Sequence, residues 1–182
     1  MAESYRGRLL VAQPGMEDPN FARTVVLIVE HNADGTLGVV LNRPSMVAVD
    51  DVLEDWSAVA GEPPVVFVGG PVQPEVGICL ARFVATDDVT LERVVGEYAI
   101  ADLSRPPSEQ GIMADARFFS GYSGWETAQL EWELALDSWF IVEATDADLN
   151  TRHPADLWRT VLRRQEASLA FYADFPDDPG SN

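Results

Sequence analysis

The chain has 182 residues, 47% of them apolar, and carries 30 acids against 12 bases for a formal charge of −18. All the bases are arginines, which excludes a Walker-type lysine, a Schiff-base lysine and a Ser-Lys dyad. The acidity also opposes nonspecific nucleic-acid binding, which rests on basic side chains neutralising phosphates.

Arg8 to Ala12 predicts a short strand stopped by Gln13-Pro14-Gly15. Thr24 to Val29 is a continuous β-branched and aliphatic run, as in a strand covered on both faces. The turn Asn32-Ala33-Asp34-Gly35 then returns the chain as a second strand, Thr36 to Leu41, closing a hairpin. Val49 to Trp56 predicts a short helix with Asp50 and Asp51 in its first turn. Further strands are expected at Val65 to Val68, Ile78 to Val84, Tyr98 to Leu103 and Ala116 to Ser120, with a short helix opened by Pro106-Pro107. A helix is predicted from about Gly124 to Leu136, apolar on two sides, with Glu126, Gln129, Glu133 and Asp137 sharing a third strip. Trp139 to Val142 is a last strand, and His153-Pro154 opens a final helix with Trp158, Val161 and Leu162 on its core side.

Strands outnumber helices and several are joined by hairpins, so the fold class is α+β rather than doubly wound α/β. One domain is expected over residues 1–175, with a frayed acidic tail over 176–182. The single cysteine, Cys79, and the want of a long apolar run or basic leader predict a soluble cytoplasmic chain that does not enter a membrane.

Four blocks stand where apolar runs end. They are Pro14-Gly15-Met16-Glu17-Asp18-Pro19-Asn20-Phe21, then Glu30-His31 through Asn42-Arg43-Pro44, then Gly69-Gly70-Pro71-Val72, and last Gly121-Tyr122-Ser123-Gly124-Trp125 running into Gln129-Leu130-Glu131. Gly121-Tyr122-Ser123-Gly124 has the look of a nucleophile elbow, with Asp146 or Asp148 and His153 following in a usable order. Trp125 in the fifth position favours a plain tight turn instead. Gly69-Gly70-Pro71 follows a strand as a phosphate loop would, yet no lysine or third glycine completes a fingerprint, so close backbone packing is the simpler reading. His31 is placed as a general base would be, with a hairpin role as the alternative. Arg43, held extended before Pro44, either presents its fork to an anion or pairs with an acid such as Glu133. Two His and one Cys are too few for a structural zinc site, and no cofactor is called for.

In combination, from about Gly7 to Arg164, these blocks resemble the YqgE/AlgH family of bacterial proteins. The resemblance implies a branched, highly bent mixed sheet forming a pseudo-barrel flanked by helices. It also implies that His31, Asn42-Arg43, Gly69-Gly70-Pro71 and Gly121-Tyr122 to Gln129 converge on one polar groove. One member lent the group its name as a transcriptional regulator, which points to regulation. The expectation is therefore a non-enzymatic regulatory or adaptor domain holding a protein segment or small ligand. Arg43 would be its anion contact, Asn42 and Gln129 its hydrogen-bonding groups, and Tyr122 and Trp125 an aromatic wall. The alternatives are an enzyme using His31 with Glu30 or Glu133, and a regulator touching DNA, against which the charge argues.

Overall fold

Apolar strands that can be covered on both faces dominate the computed structural model, which describes residues 3–177. Most of the expected tail, from residue 178 on, lies outside them. β1 (Arg8–Ala12), β2 (Val25–Asn32) and β3 (Gly35–Val40) form an antiparallel ribbon. Alternate residues face two different cores. Leu9, Val11, Leu27 and Val39 pack on one side, and Leu10, Val26, Ile28 and Val40 on the other. The hairpin turn is the expected one, and the Asn32 side chain accepts the Asp34 N–H at 2.8 Å to hold it.

β4 (Pro44–Ala48) leads into α1 (Val49–Val52) and then into a 3-10 turn at Glu54–Val59. The single helix expected from Val49 to Trp56 is thus broken at Leu53, whose φ of −141° is not helical. β5 (Val65–Val68) pairs antiparallel with β4. β6 (Val72–Ala85), β7 (Arg93–Val95) and β8 (Tyr98–Ala101) form a second antiparallel set.

The organising element is β9 (Ile112–Glu126), which pairs with β3, β5 and β6. Near Phe118 it lies between β5, which runs parallel to it, and β6, which runs antiparallel. Beyond Gly121, whose φ of 71° bends the strand, it turns to β3. The sheet forks there and curls into a half-barrel ordered β10 (Trp139–Glu143)-β1-β2-β3-β9-β6-β8-β7, with β4 and β5 as the branch. The fold is thus the expected α+β class with a bent, branched mixed sheet.

One expectation fails at this strand. The helix predicted from Gly124 does not begin there, because residues Ser123 to Glu126 are held extended by hydrogen bonding to β3. Ala128, in the left-handed region at φ 62°, starts a shorter helix, α2 (Gln129–Ala135). Glu126 therefore sits on a strand, and the expected four-residue polar strip of one helix does not exist. β10 (Trp139–Glu143) pairs with β1.

α3 (Asp146–Leu149) opens with a Thr145/Asp148 capping box. Pro154 begins a 3-10 turn that runs into α4 (Leu157–Arg163), with Trp158, Val161 and Leu162 buried as expected. α5 (Ala167–Ala170) follows. The Trp158 indole donates to the Ala12 carbonyl at 2.8 Å, and Arg164 holds Asp148 with two bonds of 2.5 Å, so α4 is fastened to the sheet and to α3.

Candidate functional site

A β-bulge decides which side chains face an open cavity on this sheet. Ile28 opposes Gly38 but Glu30 opposes Leu37, so Val29 is an extra residue in β2. One extra residue reverses the alternation beyond it. Glu30 therefore joins Leu37 and Gly124 in one row across three strands, while His31, Thr36 and Trp125 form the row on the opposite face. Tyr122 and Val72, paired with each other, extend the first row. Over this row lies an open cavity of about 680 Å³, also lined by Asp34, Glu126 and Gln129. A second cavity of about 440 Å³ shares Glu30 and Leu37 with it and continues toward Asp88 and Glu92. Glu30 and Leu37 thus border both cavities, and the two cavities are termed the trough.

The glycines along this region are of two kinds. A Cβ on Gly69 would stand 2.3 Å from the Gly121 carbonyl oxygen, and one on Gly70 would stand 2.2 Å from the Tyr122 backbone. Those positions need glycine because β5 runs so close to β9. Gly69 is also a junction, its carbonyl accepting from the Val40 N–H at 3.0 Å and from the Ser123 hydroxyl at 3.1 Å. Gly124 differs. It is exposed, its φ is unexceptional, and an added Cβ would meet only the Tyr122 ring at 3.7 Å and Val72 at 3.8 Å. Nothing in the packing demands glycine there, yet its bare backbone keeps the trough floor open.

The expected site residues separate into two groups. Tyr122 and Gln129 line the trough, and the Trp125 backbone contributes to it. The Trp125 ring points away into the other core, edge-on to Trp139 at 5.9 Å, so it is no wall of the trough. Glu133 lies behind it, accepting the indole N–H of Trp125 at 2.9 Å and that of Trp139 at 2.8 Å through one oxygen. Its other oxygen takes the Gln129 amide at 3.0 Å.

Asn42 is remote from the trough and acts as a piece of strand. It accepts the Val25 N–H at 3.0 Å and donates to the Arg23 carbonyl at 2.8 Å. Arg43 does not pair with Glu133; its guanidinium donates to the Ala22 carbonyl at 3.1 Å. Burial pulls its pKa down, with the Asp18 charge opposing. Pro71 is exposed beside Gly70, outside the lining.

His31 is engaged through both ring nitrogens, Nδ1 with the Thr36 hydroxyl at 2.8 Å and Nε2 toward Glu131 at 3.5 Å. The Tyr5 ring covers it at 5.1 Å. Ser123 is fully buried within β9, so no nucleophile elbow exists. Burial pushes the Cys79 thiol pKa well up, as for an inert core cysteine. Glu30, Asp34, Leu37 and Gly124 lie within the blocks expected at the groove, but sequence reasoning did not single them out as its lining. The signal was the turn spacing, but the Val29 bulge that sets the facing is invisible in a run of aliphatic residues.

A family model described as AlgH-like matches residues 9–170. Among curated relatives, a UPF0301 protein of Streptomyces coelicolor is 46% identical, the match covering 98% of this chain and 96% of the relative. A UPF0301 protein of Mycobacteroides abscessus is 44% identical, over 97% and 87%. Protein DIP2367 of Corynebacterium diphtheriae superposes with a TM-score of 0.88 at 31% identity, covering 96% of this chain and 94% of that one. The solution structure of the AlgH protein of Pseudomonas aeruginosa gives 0.69 at 31% identity, over 97% and 96%.

Proposed function

The chain belongs to the AlgH-like family, and from that premise and the trough's geometry we propose that it is a non-enzymatic regulatory or adaptor domain that holds a segment of another protein. The observation that carries this reading is Gly124. A glycine inside a strand weakens it, by roughly 0.5–1 kcal/mol against alanine in comparable settings. At Gly69 and Gly70 the close approach of two strands accounts for that loss; at Gly124 nothing in the packing does. An open floor beneath a polar rim is what a bound segment would use.

The cytoplasmic setting and the regulatory role belong to the same proposal. An enzyme built on His31 is not favoured, since its ring lies on the other face of the sheet with both nitrogens engaged.

The test is affinity capture with the wild-type chain and with Gly124→Val, whose fold is checked by thermal unfolding. A partner retained by wild type and lost by the folded variant is expected. An identical set of partners on both would remove the trough as the binding site.

A further inference from the structure

One buried charge in this fold has no counter-charge. Arg117, on β9, is 2% exposed and is the one arginine buried among the described residues. Its Nη2 donates to the Glu62 carbonyl at 2.8 Å and to the Thr151 carbonyl at 2.9 Å, and its Cζ lies 4.4 Å from the centroid of the Phe67 ring. It enters none of the ion pairs among the described residues. Burial pulls its pKa down to about 10, with Tyr98 and Asp115 opposing. Two neutral carbonyls and an aromatic face compensate a buried cation only in part. The fold treats its one buried acid differently, since Arg164 holds Asp148 through both carboxylate oxygens.

Arg117 is also left with an unused donor. Its Nη1 and the Tyr98 hydroxyl are the two buried side-chain polar atoms that lack a hydrogen-bond partner among the described residues. The register of the sheet brings this pair to one face. Arg117 pairs with Leu80 and Tyr98 with Arg82, and those two partners are alternate residues of β6. Beside them the loops at Gly61-Glu62 and Asn150-Thr151-Arg152, together with Asp115, line a cavity of about 530 Å³. Glu62 and Thr151 are the residues whose carbonyls hold Arg117, and the Asn150 side chain stands near the Tyr98 hydroxyl without bonding to it. Both orphaned atoms therefore lie just behind the wall of this cavity. Its acids are engaged or exposed, Asp115 accepting from Arg82 Nε at 3.0 Å and Glu62 standing in solvent. Arg152, exposed on the same wall, enters no ion pair and no hydrogen bond through its side chain among the described residues.

We propose that Arg117 Nη1 and the Tyr98 hydroxyl seat a small monovalent anion of chloride's size, which enters between the Glu62 and Asn150 loops past Arg152. A water molecule would satisfy the two donors, as buried waters do, but would leave the charge uncompensated. An anion answers both needs, through charge-assisted hydrogen bonds. Two orphaned donors suit a single acceptor atom rather than the several oxygens of a phosphate group. The site shares no lining residue with the trough and stands independently of it.

Thermal unfolding at fixed ionic strength, with chloride progressively replacing the bulky anion gluconate, tests the proposal without a change in screening. The wild-type midpoint should rise saturably, by roughly 3–6 °C once chloride reaches about ten times its dissociation constant. Tyr98→Phe keeps the ring and removes one donor, so it should need roughly fivefold to tenfold more chloride for the same rise. Arg105→Gln, which removes an exposed charge elsewhere, should respond as wild type does. A wild-type crystal soaked in bromide should show an anomalous scattering peak within hydrogen-bonding distance of both Arg117 Nη1 and the Tyr98 hydroxyl.

A midpoint indifferent to chloride would overturn the proposal, as would a response that Tyr98→Phe leaves unchanged or that Arg105→Gln weakens equally. Should Tyr98→Phe not fold, the bromide crystal decides alone. Density of a water without anomalous signal at the two donors would show the charge to be carried unpaired.

Discussion

Asn42 carries out with one side chain what a neighbouring strand would do with its backbone. Its amide both accepts from Val25 and donates to Arg23, closing the entry to β2. Asn42→Ala would leave a part-buried donor and acceptor without partners and should cost about 2 kcal/mol. Denaturant unfolding measures that loss, while binding by the residual folded protein should be unchanged. Cys79 offers a second measurement at this scale. Burial raises its thiol pKa, so the folded state retains the proton more tightly than the unfolded chain does. The sign follows by linkage: the stabilisation is complete below the ordinary thiol pKa and is lost as pH rises beyond it. Cys79→Ala should therefore flatten the alkaline side of the stability profile. The native thiol should stay unreactive toward a thiol reagent at neutral pH and react once the chain is unfolded; rapid reaction of the native protein would contradict the buried placement. Tyr98, pushed up to about 12 by burial, adds loss of the same sign at high pH.

At the scale of elements, the glycines of β5, β9 and their junction give opposite outcomes for the same chemical change. Gly70→Ala places a Cβ 2.2 Å from the Tyr122 backbone at a φ of 156°, and should leave little folded protein. Gly124→Ala meets only ordinary contacts and should raise stability by about 0.5 kcal/mol while narrowing the trough. Thermal unfolding of the two variants distinguishes them directly. A second element-level device is Glu133, which gathers the indoles of Trp125 and Trp139 and the Gln129 amide, and so seats α2 against β9 and β10. Glu133→Ala should cost about 2–3 kcal/mol through the orphaned indole donors, and should shift the tryptophan emission. The sequence contained the parts of this arrangement but not its geometry. Gln129 and Glu133 were legible together on one polar strip, yet helical spacing put Glu126 and Asp137 on the same helix and Trp125 on a different side of it. The competition was settled by β3, a strand distant in sequence, which holds Ser123 to Glu126 extended.

For the whole molecule, strand chemistry was legible wherever both faces are buried, as in β1 and the first five residues of β2, because continuous aliphatic runs have few alternatives. β4 and β7 were not, since each is short, partly exposed and defined by its partner rather than by its own pattern. The candidate site was legible as chemistry at Tyr122 and Gln129, and illegible as a surface, because one bulged residue decides what faces outward. Net charge also belongs to this scale. At −18, self-repulsion opposes compaction, so moderate salt should raise the unfolding midpoint before any specific ion effect enters, and a flat response would show that the charges are too dispersed to matter.

The position of β9 has a bearing on how the protein is made. During synthesis, three local assemblies can emerge in turn: β1 with β2 and β3, β4 with β5, and β6 with β8 and β7. Apart from the single bond from the Val40 N–H to the Gly69 carbonyl, no strand of one assembly pairs with a strand of another until β9 leaves the ribosome and joins all three. Until then the nascent chain displays the aliphatic faces of β1 to β3 with nothing to cover them, a burden that falls on chaperones. A nonsense codon just ahead of Ile112 would release one chain whose three local assemblies lack the strand that joins them, whereas one placed after Glu126 would release a sheet already joined along its spine.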